Sequence, residues 1–164
     1  MIETTSLELS NSSKRDINSW LKKFPITEKR SAIMPALTIV QKENGGALTE
    51  ELITAVARYL DVPEAFVYEL ATFYKMYELG PVGRHKIAVC TNVSCMLCGC
   101  NKVALYLKEK LNIDFGEITK DGRFMLQEVE CLGVCDGAPA MLVDSKCYTD
   151  LTPEKIDSIL KGLK

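Results

Sequence analysis

Histidine is nearly absent from this chain: among its 164 residues there is only His85. A Rieske centre needs two histidines on one iron. Zinc fingers and histidine-built catalytic zinc sites need two or three. All of these classes are excluded, and His85, just ahead of a strand-like run, is expected to be a solvated edge residue. Also missing are the Gly-x-Gly-x-x-Gly and Walker patterns, so no usual loop for a dinucleotide or a nucleotide phosphate is present. The stretch Gly80-Pro81-Val82-Gly83 reads instead as a linker. No apolar run approaches the roughly 20 residues that a membrane-spanning helix needs. A basic field is lacking too, with 20 Lys and Arg against 22 Asp and Glu and a net charge of −2. Nothing invites a nucleic acid. The first residues lack the basic-then-apolar pattern of a secretory signal. A reducing compartment is therefore expected, where seven cysteines do metal or redox chemistry rather than frame disulfides. The remainder is ordinary for a globular protein, at 47% hydrophobic and 26% charged residues.

The cysteines carry the information. Cys90 and Cys95 form a C-x4-C pair, and Cys131 and Cys135 a C-x3-C pair. Each pair follows an apolar, strand-like run and lies among small residues. Four soft thiolates from two loops select an iron–sulfur cluster or zinc over hard, oxygen-seeking ions. Zinc ribbons usually present C-x2-C twice, and neither pair has that spacing. A [2Fe–2S] cluster has two irons, so each loop can serve one of them. Cys98 and Cys100 keep other assignments open. Cys90, Cys95 and Cys98 also match the start of a plant-type ferredoxin spacing, and Cys95-x2-Cys98 is a thioredoxin-like dithiol pattern. Spacing alone leaves all three standing.

The chain divides by pattern. Residues 1–11 are expected to be a flexible N-terminus, 12–80 a helical bundle, and 84–164 an α/β domain. In the bundle, Ser12 or Ser13 caps a helix ending before Pro25. Thr27 with Glu28 opens a second helix, with Ile33, Leu37 and Val40 on one face and Pro35 in its early turns. Thr49 opens a third, with Leu52, Val56, Tyr59 and Leu60 inward. Pro63 starts a fourth, on which Phe66, Leu70, Phe73, Tyr74 and Tyr77 form an apolar stripe, expected to be core with some docking surface. Beyond Gly83, strands are expected at 85–89, 115–118, 124–129 and 140–143, with a return at Cys147-Tyr148. Asp121-Gly122 makes a hairpin turn. Helices are expected at 101–113, with Val103, Tyr106, Leu107 and Leu111 inward, and after Thr152-Pro153, with Ile156, Ile159 and Leu160 inward. Strand, helix, strands, helix is a thioredoxin-like order, with both cysteine loops at strand ends.

At those loops the chain resembles a known family. Val89-Cys90-Thr91-Asn92-Val93-Ser94-Cys95 and Cys131-Leu132-Gly133-Val134-Cys135-Asp136-Gly137-Ala138-Pro139 are similar to the loops of the thioredoxin-like [2Fe–2S] subunits of respiratory NADH dehydrogenase. These are the E subunits of NADH-quinone oxidoreductase, counterparts of the complex I 24 kDa subunit. Further likeness lies in Ala71-Thr72-Phe73-Tyr74, Pro81 to His85, Asp121 to Phe124 and Leu151-Thr152-Pro153. The resemblance implies that Cys90, Cys95, Cys131 and Cys135 ligate one [2Fe–2S] cluster. It implies that FMN and NADH sit on a partner subunit, beside other complex I subunits, and that this chain moves single electrons. The complex would lie at the cytoplasmic face of the inner membrane, without insertion of this chain. Cys98 and Cys100 depart from the family, and with Cys147 are expected to be inert small hydrophobes.

Other functions remain open on these residues. Equivalent subunits serve NAD-linked hydrogenases and formate dehydrogenases. A thiol–disulfide oxidoreductase would use Cys95 and Cys98 but leaves Cys90, Cys131 and Cys135 without a role. A structural zinc module with four cysteine ligands would merely organise an interface. Gly133 and Gly137 are expected either to let the backbone approach a cluster or to serve turn geometry. Glu128, Glu130 and Asp136 would hold its potential low.

Overall fold

A computed structural model describes residues 7–163, in two compact units that divide between Pro81 and Val82. The first unit is helical: α1 (Asn11–Leu21), a 3-10 turn (Lys29–Ala32), α2 (Ile33–Glu43), α3 (Glu50–Leu60) and α4 (Glu64–Phe73). Ser10, rather than Ser12 or Ser13, caps α1, its hydroxyl accepting from the Ser13 N–H at 3.0 Å. Leu9 is already buried in the core, so the chain joins the fold ahead of the expected boundary, while residues 1–6 lie outside the described part. The hydroxyls of Ser10 and Ser12 donate to Glu43 at 3.0 and 3.3 Å, and that of Ser13 donates to it as well. These bonds, Ser13's first, hold the Glu43 carboxyl below its usual range. They pin the start of α1 to the end of α2.

The second helix does not begin at Thr27. The chain makes the 3-10 turn first, and α2 starts at Ile33, which sets Pro35 in the first helical turn, where its missing N–H costs nothing. Thr49 caps α3 as expected, accepting from the Leu52 N–H at 3.3 Å, and Ile33, Leu37, Val40, Ile53, Val56 and Leu60 fill the core. The aromatic stripe is only partly core, with Tyr77 in the core, Phe66 and Leu70 packed against it, and Phe73 and Tyr74 outside it. Val67 and Ala71 are the helix's buried residues, while Phe66 and Leu70 are half-buried. Phe73 is 75% exposed and Tyr74 is exposed. The helix stops at Phe73 because the following segment is strapped back onto α2. Gln41 donates to the Met76 carbonyl and accepts from the Glu78 N–H, at 3.0 and 2.8 Å, and the Tyr77 hydroxyl donates to the Met34 carbonyl at 2.9 Å. Tyr77 is thus buried by a loop, not by a helix.

The second unit contains β1 (His85–Cys90), α5 (Val93–Leu97), α6 (Cys100–Leu111), β2 (Phe124–Val129), β3 (Met141–Val143), β4 (Lys146–Tyr148) and α7 (Pro153–Gly162). The sheet order is β2-β1-β3-β4. β1 and β2 are parallel, with Cys90 opposite Val129; β1–β3 and β3–β4 are antiparallel. A parallel neighbour requires a crossover, which α6 supplies. Ile87, Val89, Leu126 and Met141 from the sheet pack with Leu107, Ile156 and Leu160 from α6 and α7. Residues 115–118 do not make the expected strand. Gly116 and Thr119 donate to the Leu126 and Phe124 carbonyls, and only Ile118 bridges Met125. The turn itself is present, with Gly122 at φ 69° donating to the Thr119 carbonyl. A β-carbon on Gly83 would stand 2.7 Å from the Met125 nitrogen, so glycine is required where the chain enters β1.

His85 is no solvated edge residue. Its ring is largely buried, Nδ1 lies 2.9 Å from Asp144 Oδ2, and Asp144 Oδ1 accepts from the Lys86 N–H at 2.9 Å. The histidine locks the β3–β4 turn to the start of β1.

Candidate metal centre

Both cysteine loops leave the same end of the paired strands β1 and β2. Cys90 is the last residue of β1, its N–H donating to the Ala140 carbonyl at 3.0 Å, and Thr91 donates to the Val129 carbonyl at 3.0 Å. The chain then turns into α5, a helix that the sequence pattern does not announce. Asn92 caps it, its side chain accepting from the Val93 N–H at 2.9 Å. One turn of helix carries Cys95 back under the loop. Gly99, at φ 90°, makes the left-handed step into α6. Cys90 and Cys95 are each only 3% exposed and cluster with Cys100 and Ala140, against Leu132 and Val134 of the second loop.

The second loop leaves β2 at Val129, passes Cys131, turns left-handed at Gly133 (φ 74°) and makes a 3-10 turn, Cys135–Gly137. The Gly133 N–H donates to Cys131 Sγ at 3.3 Å, and the Cys90 thiol donates to the Glu130 carbonyl at 3.7 Å. Cys131 and Cys135 are both exposed, as are Glu130 and Asp136, with Glu128 beside them on the end of β2. Gly137 serves packing rather than approach to a centre, since a β-carbon there would lie 2.5 Å from Thr149 Cβ. The signal for that contact is long-range and invisible in the sequence.

The structure brings the two loops together unequally. Cys90 and Cys95 are buried together in one small cluster. Cys131 and Cys135 stay on the adjoining loop, and among the described residues no three Cys, His, Asp or Glu side chains converge into a metal-binding group. The thiols of the first pair are polarised in opposite directions. Burial, the largest effect, pushes Cys95 up to about 11, and its bond with Cys90 adds to this. Burial also works on Cys90, but hydrogen bonds from the Asn92 backbone, Cys95 and the Leu132 backbone outweigh it and lower that thiol. Backbone amides directed at sulfur are what a thiolate ligand needs in a water-poor site. The donor set is soft and oxygen-free. Both features fit a thiolate-bound [2Fe–2S] cluster. A redox dithiol needs an accessible, acidic thiol, and Cys95 is neither. Cys98 and Cys147 are exposed, so of the three extra cysteines only the fully buried Cys100 behaves as a small core residue.

This geometry defines a thioredoxin-like α/β unit with a four-thiol edge. A family model described as thioredoxin-like [2Fe-2S] ferredoxin matches residues 17–164, and the chain belongs to that family. It is 46% identical to the E subunit of NADH-quinone oxidoreductase from Rickettsia bellii, over 88% of this chain and 86% of that one. With an E subunit of NADH-quinone oxidoreductase from Rhizobium meliloti it shares 42% identity, over 92% of this chain and 88% of the other. In fold it is similar to a chain of the NAD+-reducing [NiFe]-hydrogenase in the air-oxidized state, with a TM-score of 0.66 at 21% identity. That likeness covers 77% of this chain and 22% of the hydrogenase chain.

Proposed function

We propose that Cys90, Cys95, Cys131 and Cys135 ligate one [2Fe–2S] cluster through which this chain exchanges single electrons with the flavin of a partner subunit. The chain is an electron-transfer subunit of an NADH:quinone oxidoreductase, as its relatives at 46% and 42% identity are named. The observation that carries the ligand set is the meeting of the two loops at Cys90, whose thiol reaches the Glu130 carbonyl at 3.7 Å and which packs with Cys95 against Leu132 and Val134 of the second loop.

When bound, the cluster supplies a one-electron couple. NADH releases two electrons together as a hydride, and a flavin must divide them before iron–sulfur centres can take them. This chain's own residues do the rest. Cys95 and Cys100 bury one side of the site, and the amides of Asn92 and Leu132 stabilise negative charge on sulfur. The exposed second loop supplies the remaining two thiols. No described helix is long and apolar enough to cross a membrane. We place the chain peripherally, on the cytoplasmic face, held by its partners. The likeness to the hydrogenase chain carries the fold alone, and the quinone-linked relatives favour the respiratory complex.

The test is anaerobic reconstitution. A reddish-brown protein with two irons and two acid-labile sulfides per chain, paramagnetic after reduction, is expected. A colourless protein with stoichiometric zinc overturns the reading. The isolated chain is expected not to reduce ferricyanide with NADH.

A further inference from the structure

The surface beside Cys95 is unusual for a small helix end. α5 turns Cys95 inward and Val93, Met96 and Leu97 outward, with Leu97 81% exposed. Where α5 meets α6 the surface falls into a cleft of about 450 Å³, walled by Val103, Tyr106, Pro139 and Ile156, with Leu97 and Cys98 at its α5 end. That volume suits one or two apolar side chains from outside and lies in the range of real binding pockets.

Charge narrows the occupant. The cleft lining holds a single charged residue, Lys102. Further along α6 the lysines are neutralised, Lys108 by Asp114 at 2.6 Å and Lys110 by Asp157 at 3.0 Å. Lys102 makes no ion pair among the described residues. An apolar hollow with one free cation at its edge fits an apolar side chain flanked by a carboxylate. Position narrows it further, because the cleft adjoins the helix that carries Cys95. A redox partner of that site must come close to this edge.

We infer that the cleft between α5, α6 and the start of α7 receives an acidic, apolar segment of the electron-exchanging partner subunit. Leu97 anchors on the partner, and Lys102 pairs with its carboxylate. An apolar centre with a charged rim is the usual interface anatomy, in which the rim charge sets register and association rate. This inference rests on the function proposed above.

The chain contains its own probe. Cys98 lines the cleft and is exposed, while Cys147 is exposed on β4. Maleimide labelling of the cluster-loaded protein, resolved by peptide mass spectrometry, is compared for the free chain and its complex with the flavin-bearing subunit. Cys98 is expected to label about tenfold or more slowly in the complex, with Cys147 unchanged. Equal labelling of Cys98 in both states overturns the inference. So does slow labelling in the free chain that quickens on dilution, which would seat a second copy there. Leu97→Asp and Lys102→Glu are each expected to weaken the complex about tenfold with the visible spectrum intact, Lys102→Glu also flattening its salt dependence. Wild-type affinity in both variants overturns the inference. Failure of the cluster reading is separate, since it leaves a colourless protein before any complex is made.

Discussion

Five of the seven cysteines occupy three different environments, and each environment dictates a different response to substitution. Cys90 and Cys95 are buried together, Cys131 and Cys135 stand exposed on the facing loop, and Cys100 is sealed in the packing behind them. Serine at Cys90, Cys95, Cys131 or Cys135 is expected to remove the cluster or shift its visible spectrum, because a hard oxygen replaces a soft thiolate. Serine at Cys98 or Cys147 is expected to leave the spectrum unchanged. Loss of the cluster from the Cys98 variant with retention in the Cys135 variant would instead support the plant-type spacing. Cys100→Ser places a hydroxyl in a fully buried site where the recorded partner, Asn101 Oδ1, lies 3.8 Å from the sulfur, and is expected to cost about 1–3 kcal/mol in urea unfolding while keeping the cluster. Gly137→Ala drives a methyl into Thr149. It is expected to destabilise by about 1–3 kcal/mol, the ordinary cost of overpacking, measured by the same unfolding midpoint. The two cysteine pairs stand out in the sequence as candidate ligands because each lies within one loop, while their spacing leaves three assignments open. Gly137's partner does not stand out, since Thr149 meets it only after β3 and β4 have folded back.

At the scale of elements, α7 is latched to α6 by one carboxylate. Asp157 accepts from the Tyr106 hydroxyl at 2.6 Å and pairs with Lys110 at 3.0 Å. The tyrosine bond first, and the lysine second, hold its carboxyl below the usual range. A carboxyl depressed in the folded state contributes stability above its unfolded pKa and loses it as pH falls through the folded value. Asp157→Asn is therefore expected to destabilise the chain at pH 7, with the gap to wild type closing as pH falls below the ordinary aspartate range and through the depressed folded value. A gap independent of pH would show that the latch works without charge. α3 and α7 were readable because Thr49 and Thr152 announce them as side-chain caps. β1 and β2 were readable from their apolar runs. Three elements were hidden by tertiary contacts. The end of α4 depends on Gln41 and Tyr77 gripping α2. The 115–118 segment takes only scattered bonds from β2. Single-turn α5 exists because Asn92 caps it and the site behind it takes Cys95.

At the scale of the molecule, two hydrophobic cores are built from non-overlapping stretches, one from Leu9 to Tyr77 and one from Ile87 to Leu160. All seven cysteines belong to the second stretch, and the chain's single tryptophan, Trp20, to the first. Each unit therefore has its own optical reporter. Tryptophan fluorescence follows the helical unit, and visible absorption of the cluster follows the other. Two cores with their own reporters predict two thermal transitions whose midpoints differ between the probes, which a single cooperative unit does not give. The same division predicts what truncation does. A fragment starting at Val82 keeps its sheet, both covering helices and all four proposed ligands, so it is expected to fold and take up the cluster. At that size a hydrophobic core is marginal, and the metal–thiolate bonds add folding energy of their own. Its apo form is accordingly expected to unfold at far lower urea than the loaded form. What the fragment gives up is the exposed aromatic surface of Phe73 and Tyr74, together with Tyr68, Met76 and Leu79. These five exposed apolar residues lie within a dozen positions of one another and make a candidate interaction surface. The fragment is therefore expected to bind the flavin-bearing subunit more weakly than the full chain, by at least about tenfold in co-purification or titration. Equal affinity would confine docking to the cysteine-bearing unit and leave the aromatic surface to another member of the complex.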